Sequence, residues 1–168
     1  MLTSKIEVAL GKYRREPGKR NADNPLKLNS TVAGPATPQE IWVSWPGISL
    51  ADDLTSLWSK CRGARLFEDT EYGQWGLVIL DPKSSAARTA KERIARPKDL
   101  RADDVVIGEF LGDQELLVVA PSESNRRRVL VALPLDARGD WFGAASEIDE
   151  FLDDYFEAGG NKFWERKT

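Results

Sequence analysis

A chain of 168 residues can bury roughly two-thirds of its unfolded surface in one core, so neither disulfides nor metals are required to hold it together. It has no histidine and one cysteine, Cys61, which excludes Ser-His-Asp and Cys-His catalytic sets, histidine-based zinc sites and any intramolecular disulfide. The net charge of −3 is uneven: residues 1–40 hold seven Lys/Arg against four Asp/Glu, ahead of a remainder at −6.

Leu2, Ile6, Leu10 and Tyr13 recur at helical spacing and predict a first helix over Leu2–Arg15, with Thr3 or Ser4 near its start and Pro17-Gly18 as its stop. This N-terminus has no continuous apolar core of the kind a secretory signal needs, and no run in the chain approaches the ~20 apolar residues that span a bilayer. With one cysteine, a reducing cytoplasmic location is the expectation, with no membrane contact. The following stretch is dense in Asn, Pro, Gly and Thr and reads as loop or linker. Residues 1–36 are therefore taken as a helix and loop-rich lead, and residues 37–168 as the folded domain.

Thr37-Pro38-Gln39-Glu40 has the chemistry of a helix start, and Pro46-Gly47 ends that element early. Ser49 is a candidate cap for the next helix, Leu50 to Cys61, closed by Gly63. Its stripe is Leu50, Leu54, Leu57, Trp58 and Cys61, with Asp52 and Asp53 pointing away; Cys61 on that stripe is a small core residue rather than a nucleophile. Ala64–Glu68 and Gln74–Leu80 read as strands joined by an acidic turn. Residues 82–102 carry seven Lys/Arg against Glu92 and Asp99. Ser84 or Ser85 would cap a short helix there. The run lacks the stacking aromatics of a nucleic-acid groove, so a solvated connecting helix is expected, with no direct nucleic-acid contact.

Three strands in succession follow, Val105–Phe110, Glu115–Ala120 and Val129–Leu133. The first two meet at Gly112-Asp113, where glycine supplies the positive φ a tight turn demands. A two-residue turn there places Ile107 opposite Val118 and Gly108 opposite Leu117, with apolar side chains on both faces. Past the turn Asp136–Trp141, Ser146 and Asp149 approximate a capping box for a last helix. That helix buries Ile148, Phe151, Leu152, Tyr155 and Phe156 and exposes Glu147, Asp149, Glu150, Asp153, Asp154 and Glu157, with no basic residue among them. Gly159-Gly160 ends it, and Asn161–Glu165 reads as an extended tail. An acidic face can be plain solvated surface or a site for a basic partner. Together with Glu68, Asp69 and Glu71 of the acidic turn, these nine carboxylates are the candidate partner-binding residues.

No phosphate loop, dinucleotide turn or nucleophile elbow occurs, so the residues provide no catalytic, cofactor-binding or metal-binding candidate. The ordered segments LTSLWSKCRGARLF (Leu54–Phe67), YGQWGL (Tyr72–Leu77), DVVIGEFLGDQELLVV (Asp104–Val119), DARGDW (Asp136–Trp141) and FLDDYFEAGGNKFW (Phe151–Trp164) resemble the SUKH superfamily, which includes fungal cell-wall assembly regulators and bacterial immunity proteins. The likeness covers about Leu50 to Glu165. It departs from the family pattern at Lys60-Cys61-Arg62-Gly63, where Asn often precedes the glycine, and in the length of the basic stretch 82–102. The resemblance implies a single α+β domain with a mostly antiparallel mixed sheet of about five to six strands and packed helices. It also implies a non-enzymatic role, either neutralising a cognate protein toxin by occlusion or serving as an interaction adaptor.

Overall fold

Seven short strands run in sequence order across one sheet, each antiparallel to the last. The computed structural model describes residues 4–166, apart from positions 21, 23, 49 and 122–126. The order is α1 (Lys5–Arg15), β1 (Leu28–Val32), α2 (Pro38–Ser44), α3 (Asp52–Lys60), β2 (Ala64–Asp69), β3 (Leu77–Ile79), α4 (Pro82–Ala95), β4 (Val105–Phe110), β5 (Leu116–Val119), β6 (Val129–Ala132), β7 (Phe142–Ala145) and α5 (Ile148–Glu157). Single 3₁₀ turns stand at Arg138–Asp140 and Phe163–Arg166. The fold is α+β in one domain, as the sequence predicts, but among the described residues the sheet has seven strands with no parallel pair. The additional strands are β1, inside the stretch read as loop, and β7. Both are edge strands poor in large apolar side chains, so neither shows a strong alternation.

One face of the sheet packs against α1, α3 and α5, and holds Leu66, Leu77, Ile107, Leu117 and Val131 with the helices' apolar stripes. The lead is part of this core. Ser4 caps α1 by accepting from Glu7 N–H at 3.0 Å, and Ile6, Ala9, Leu10 and Tyr13 are buried. The Tyr13 hydroxyl donates to the Leu152 carbonyl of α5 at 2.6 Å, and its ring sits edge-on to Phe67 and Phe156. The division at residue 36 therefore does not coincide with a gap in packing. The C-terminal tail is a 3₁₀ turn rather than extended chain, because Trp164 folds back against Phe151 and Phe110 and is 1 % exposed.

The other face holds Leu80, Leu100, Val106, Leu116, Val118 and Ala132, with Trp141 packed on them, and α4 lies alongside β4 as more than a solvated connector. Asp81 caps it, not Ser84 or Ser85: its carboxylate accepts from Ser84 N–H at 2.8 Å. Ser85 and Thr89 are buried against β4, where Ser85 Oγ donates to the Val106 carbonyl and Val106 N–H donates to Thr89 Oγ1. Small hydroxyl side chains let the helix approach closely and satisfy strand groups that lie beyond the end of β3.

The β4–β5 hairpin joins through residues 111–114, closed by Phe110 N–H to the Glu115 carbonyl at 2.9 Å. Gly112 takes the expected positive φ of 95°, and a Cβ there would lie 2.3 Å from the Gln74 carbonyl oxygen. Gly108 does face Leu117, but Val118 faces Val106, because Ile107 is an extra residue in a bulge. The bulge turns Ile107 and Gly108 to the same face, and Gly108 can have no side chain there: its Cβ would meet Leu77 at 2.9 Å and Leu117 at 3.2 Å.

Removing residues 1–15 should abolish cooperative unfolding, since it uncovers the α5 stripe. The point substitution Tyr13→Ala should cost about 3–5 kcal/mol, measured by urea denaturation.

Candidate interaction surface

The acids singled out in the sequence separate into two groups. Those of the β2–β3 turn are largely committed to the fold. Asp69 is 2 % exposed and accepts from the backbone N–H groups of Glu71, Tyr72 and Gln74 at 3.0–3.2 Å. Burial pushes its carboxyl up, but the three donors outweigh it and hold the group below the usual carboxylate range. Asp69 thus organises the turn and has almost no surface to offer a partner. Glu68 pairs with Arg65, and Glu71 lies 3.2 Å from Lys27.

On α5 the acidic face is real but partly neutralised. Lys12 of α1 lies 3.0 Å from Asp153 and 4.0 Å from Glu157, and Lys19 lies 4.0 Å from Glu157. The basic lead thus packs beside the acidic end of α5, a pairing that single-helix periodicity cannot show. Asp154 is half-buried on the same helix. Toward the N-terminus, no Lys or Arg pairs with Asp149 or Glu150 among the described residues; Glu150 accepts from Ser146 N–H at 3.3 Å. Both acids sit in the first turn, where the helix dipole favours them. The expected Ser146–Asp149 capping box does not form. Glu147 occupies the cap position without a side-chain cap bond, and the Ile148 N–H is taken by Asp53 Oδ2 from α3 at 3.1 Å.

Asp53, expected to point away from the core, belongs instead to a nearly enclosed ion pair. Arg128, 5 % exposed, donates to both its oxygens at 2.6 and 3.0 Å and to the Ala120 carbonyl at 3.1 Å. Glu147 lies 3.5 Å from the same guanidinium. Burial pushes the Asp53 carboxyl up, but Arg128 outweighs this and holds it low. Glu147 is shifted the other way, first by partial burial and then by the Asp53 charge. Two carboxylates with opposed shifts can mark an acid/base pair. Here Asp53 is occupied by Arg128 and Ile148, and the Glu147 side chain is 56 % exposed, which fits an ion-pair network better than a reacting pair.

This network forms one wall of a cleft of about 610 Å³, which Trp45, Leu50, Val105, Val119 and Asp103 also line. A groove of about 510 Å³ continues from it between α2 and α3, sharing Trp45, Ile48, Leu50 and Asp52. The cleft and groove were missed as a site, although a signal existed. Residues 41–48 contain Ile, Trp, Val, Trp and Ile, more large apolar side chains than the seven-residue α2 can bury. Ser49, the expected α3 cap, lies outside the described residues; Ala51 stands at the cap without a side-chain bond.

Three arginines of the basic run 82–102 are used inside the protein, while Lys83, Lys91 and Lys98 are exposed. Arg88 reaches Glu92 and Glu109, and Arg93 donates to the Ala102 and Asp104 carbonyls. Arg96 donates to the Leu133 and Asp136 carbonyls and pairs with Asp99. Cys61 is fully buried; burial pushes its thiol up to about 11, and it donates to the Gly63 carbonyl. Among the described residues, no helix is long and apolar enough to cross a membrane. Comparison with protein-family models and with curated proteins finds no match for the chain.

Arg128→Ala should cost about 3–5 kcal/mol, because Asp53 is left as an unpaired buried charge. The pH dependence has a definite sign. Asp53 titrates lower in the folded protein than its unfolded value of about 3.9, so its contribution is complete above pH ~4 and is lost as pH falls through the folded value. Glu147 titrates higher when folded, so its contribution is present at low pH and fades as pH rises through that value. Denaturation across acidic pH should therefore show a shallower acid-side loss for Asp53→Asn than for the wild type. Glu147→Gln should be at least as stable as the wild type at pH 7.

Proposed function

We propose that this chain is a cytoplasmic protein-binding module of SUKH type that neutralises a cognate toxin domain by covering its working surface, without catalysis of its own. The observation that carries the reading is the acidic N-terminal end of α5. Glu147, Asp149 and Glu150 present negative charge there, while Lys12 of α1 and Lys19 beyond it are engaged at the other end. A nuclease or other nucleic-acid-acting toxin is basic where it grips its substrate, so an acidic surface speeds encounter and occupies that grip. The absence of histidine and the enclosure of Cys61 point the same way, since neither a histidine base nor an exposed thiolate is on hand.

An adaptor that assembles other proteins is the second reading within the same superfamily. Because α1 and β1 are integral to the core, an adaptor would have to recruit partners through a folded face rather than through a detachable lead.

The test is co-expression with a basic nuclease-type toxin domain drawn from the coding neighbourhood of this chain. The wild type should protect cells and bind that domain. The double variant Asp149→Lys/Glu150→Lys should bind at least roughly tenfold more weakly, mainly through slower association and with a smaller salt dependence. It should lose only about 0.3–1 kcal/mol of stability per site from the helix dipole. Unchanged affinity removes the acidic end of α5 from the interface, and absence of protection or binding removes the immunity reading.

A further inference from the structure

The helix α2 is seven residues long and buries none of its own residues, yet it carries Trp42 at 67 % exposure and leads to Ile48 at 52 %. Single exposed apolar side chains are ordinary. These two, however, flank one groove with half-buried Ile41 and Leu50, and that groove opens into the cleft beside Arg128. Within the cleft wall, two enclosed donors have no acceptor: Nε1 of Trp45, which is 5 % exposed, and Nε of Arg93. A buried donor without an acceptor is uncommon in a folded protein.

The charge of the lining selects the occupant. Asp53 and Arg128 cancel each other, and Arg93 is turned to the Ala102 and Asp104 carbonyls. Four acids, Asp52, Asp53, Asp103 and Glu147, thus stand against the two arginines, so the combined surface is apolar with a net acidic rim. A second copy of this chain docking face to face would bring the same acids against each other.

We propose that the α2–α3 groove and the adjoining cleft form a docking site for a protein segment that carries an apolar anchor flanked by Lys or Arg. The anchor lies between Trp42 and Ile48, and the flanking cationic side chains reach Asp52, Asp103 and Glu147. The proposal deepens the protein-binding reading above, since Glu147 belongs to both surfaces, but it does not require that the partner be a toxin.

The experiment titrates the full chain, with ¹⁵N-labelled tryptophan indoles, with two unlabelled blocked peptides, Ac-Lys-Trp-Lys-NH₂ and Ac-Glu-Trp-Glu-NH₂. The indole signals are assigned from single Trp→Phe variants. The basic peptide should shift the Trp42 and Trp45 signals and bind about tenfold or more tightly than the acidic one, equivalent to about 1.4 kcal/mol. Trp42→Ser/Ile48→Ser should lose the response with a melting temperature close to wild type, both side chains being more than half exposed. Asp52→Asn/Asp103→Asn/Glu147→Gln should bring the two peptides to equal affinity. Equal response of the wild type to both peptides, shifts confined to other tryptophans, or a response that survives Trp42→Ser/Ile48→Ser would overturn the proposal. A concentration-dependent dimer abolished by Trp42→Ser would also overturn it, in favour of self-association. Because no toxin is present, failure here leaves the α5 reading standing, and loss of toxin protection with an intact peptide response removes that reading alone.

Discussion

The pairing of Asp53 with Arg128 ties together four separate parts of this molecule. It joins the start of α3 to β6, holds the end of β5 through the Ala120 carbonyl, and caps α5 through the Ile148 N–H. A pair this enclosed gains little net stability, because the attraction is largely offset by the desolvation of both charges. What it supplies is geometry: each polar atom has one satisfying arrangement, so the N-termini of α3 and α5 are brought together in one register. The cleft exists because these two helix starts are pinned side by side over the ends of β5 and β6. Glu147 is carried to its rim by the same constraint.

Several of the cations in this protein are engaged within the fold, which decides where its acids are left uncompensated. The arginines of the 82–102 run close the second face of the sheet. Arg96 and Arg138 hold the carbonyls and carboxylates around Asp99 and Asp104, and both stand within 5.4 Å of the Trp141 ring centre. Lys162 pins the C-terminal turn to Asp113 and Glu115 of the β4–β5 hairpin. With these cations engaged, the acids at the N-terminal end of α5 and around the cleft are left facing outward. Cation placement therefore shapes the acidic surface as much as the acids themselves do.

Departures from regular strand geometry arrange the core. Phe67 adopts a φ of 51°, unusual for a bulky residue, so consecutive Leu66 and Phe67 both enter the same cluster. Its N–H finds Ser30 Oγ at 3.0 Å in place of a ladder partner. Phe67 then packs between Tyr13 of α1 and Tyr155 of α5, which locks the lead to the last helix. The Ile107 bulge in β4 likewise breaks the alternation, setting Ile107 in the main core cluster and turning Gly108 to the same face, where Leu77 and Leu117 fill the space a side chain would need.

Periodicity determined the helices at 5–15, 38–44, 52–60 and 148–157, because each has an apolar stripe at helical spacing or a local start and stop that needs no distant partner. Composition likewise placed Cys61 in the core. The hairpin at Gly112 was legible because a turn is a local conformational demand. Pattern alone could not reveal β1 and β7, whose pairing depends on neighbours that shield an otherwise weak alternation, or the register shifts between β1 and β2, β4 and β5, and β6 and β7, which break it. The acidic face of α5 was visible as a row of residue types, but its neutralisation by Lys12 and Lys19 and the enclosure of Asp53 and Asp69 are long-range facts. A carboxylate becomes structural or available according to which cation or N–H the tertiary fold places within about 3 Å. That is why the sequence could list the acids and only the packed structure could sort them.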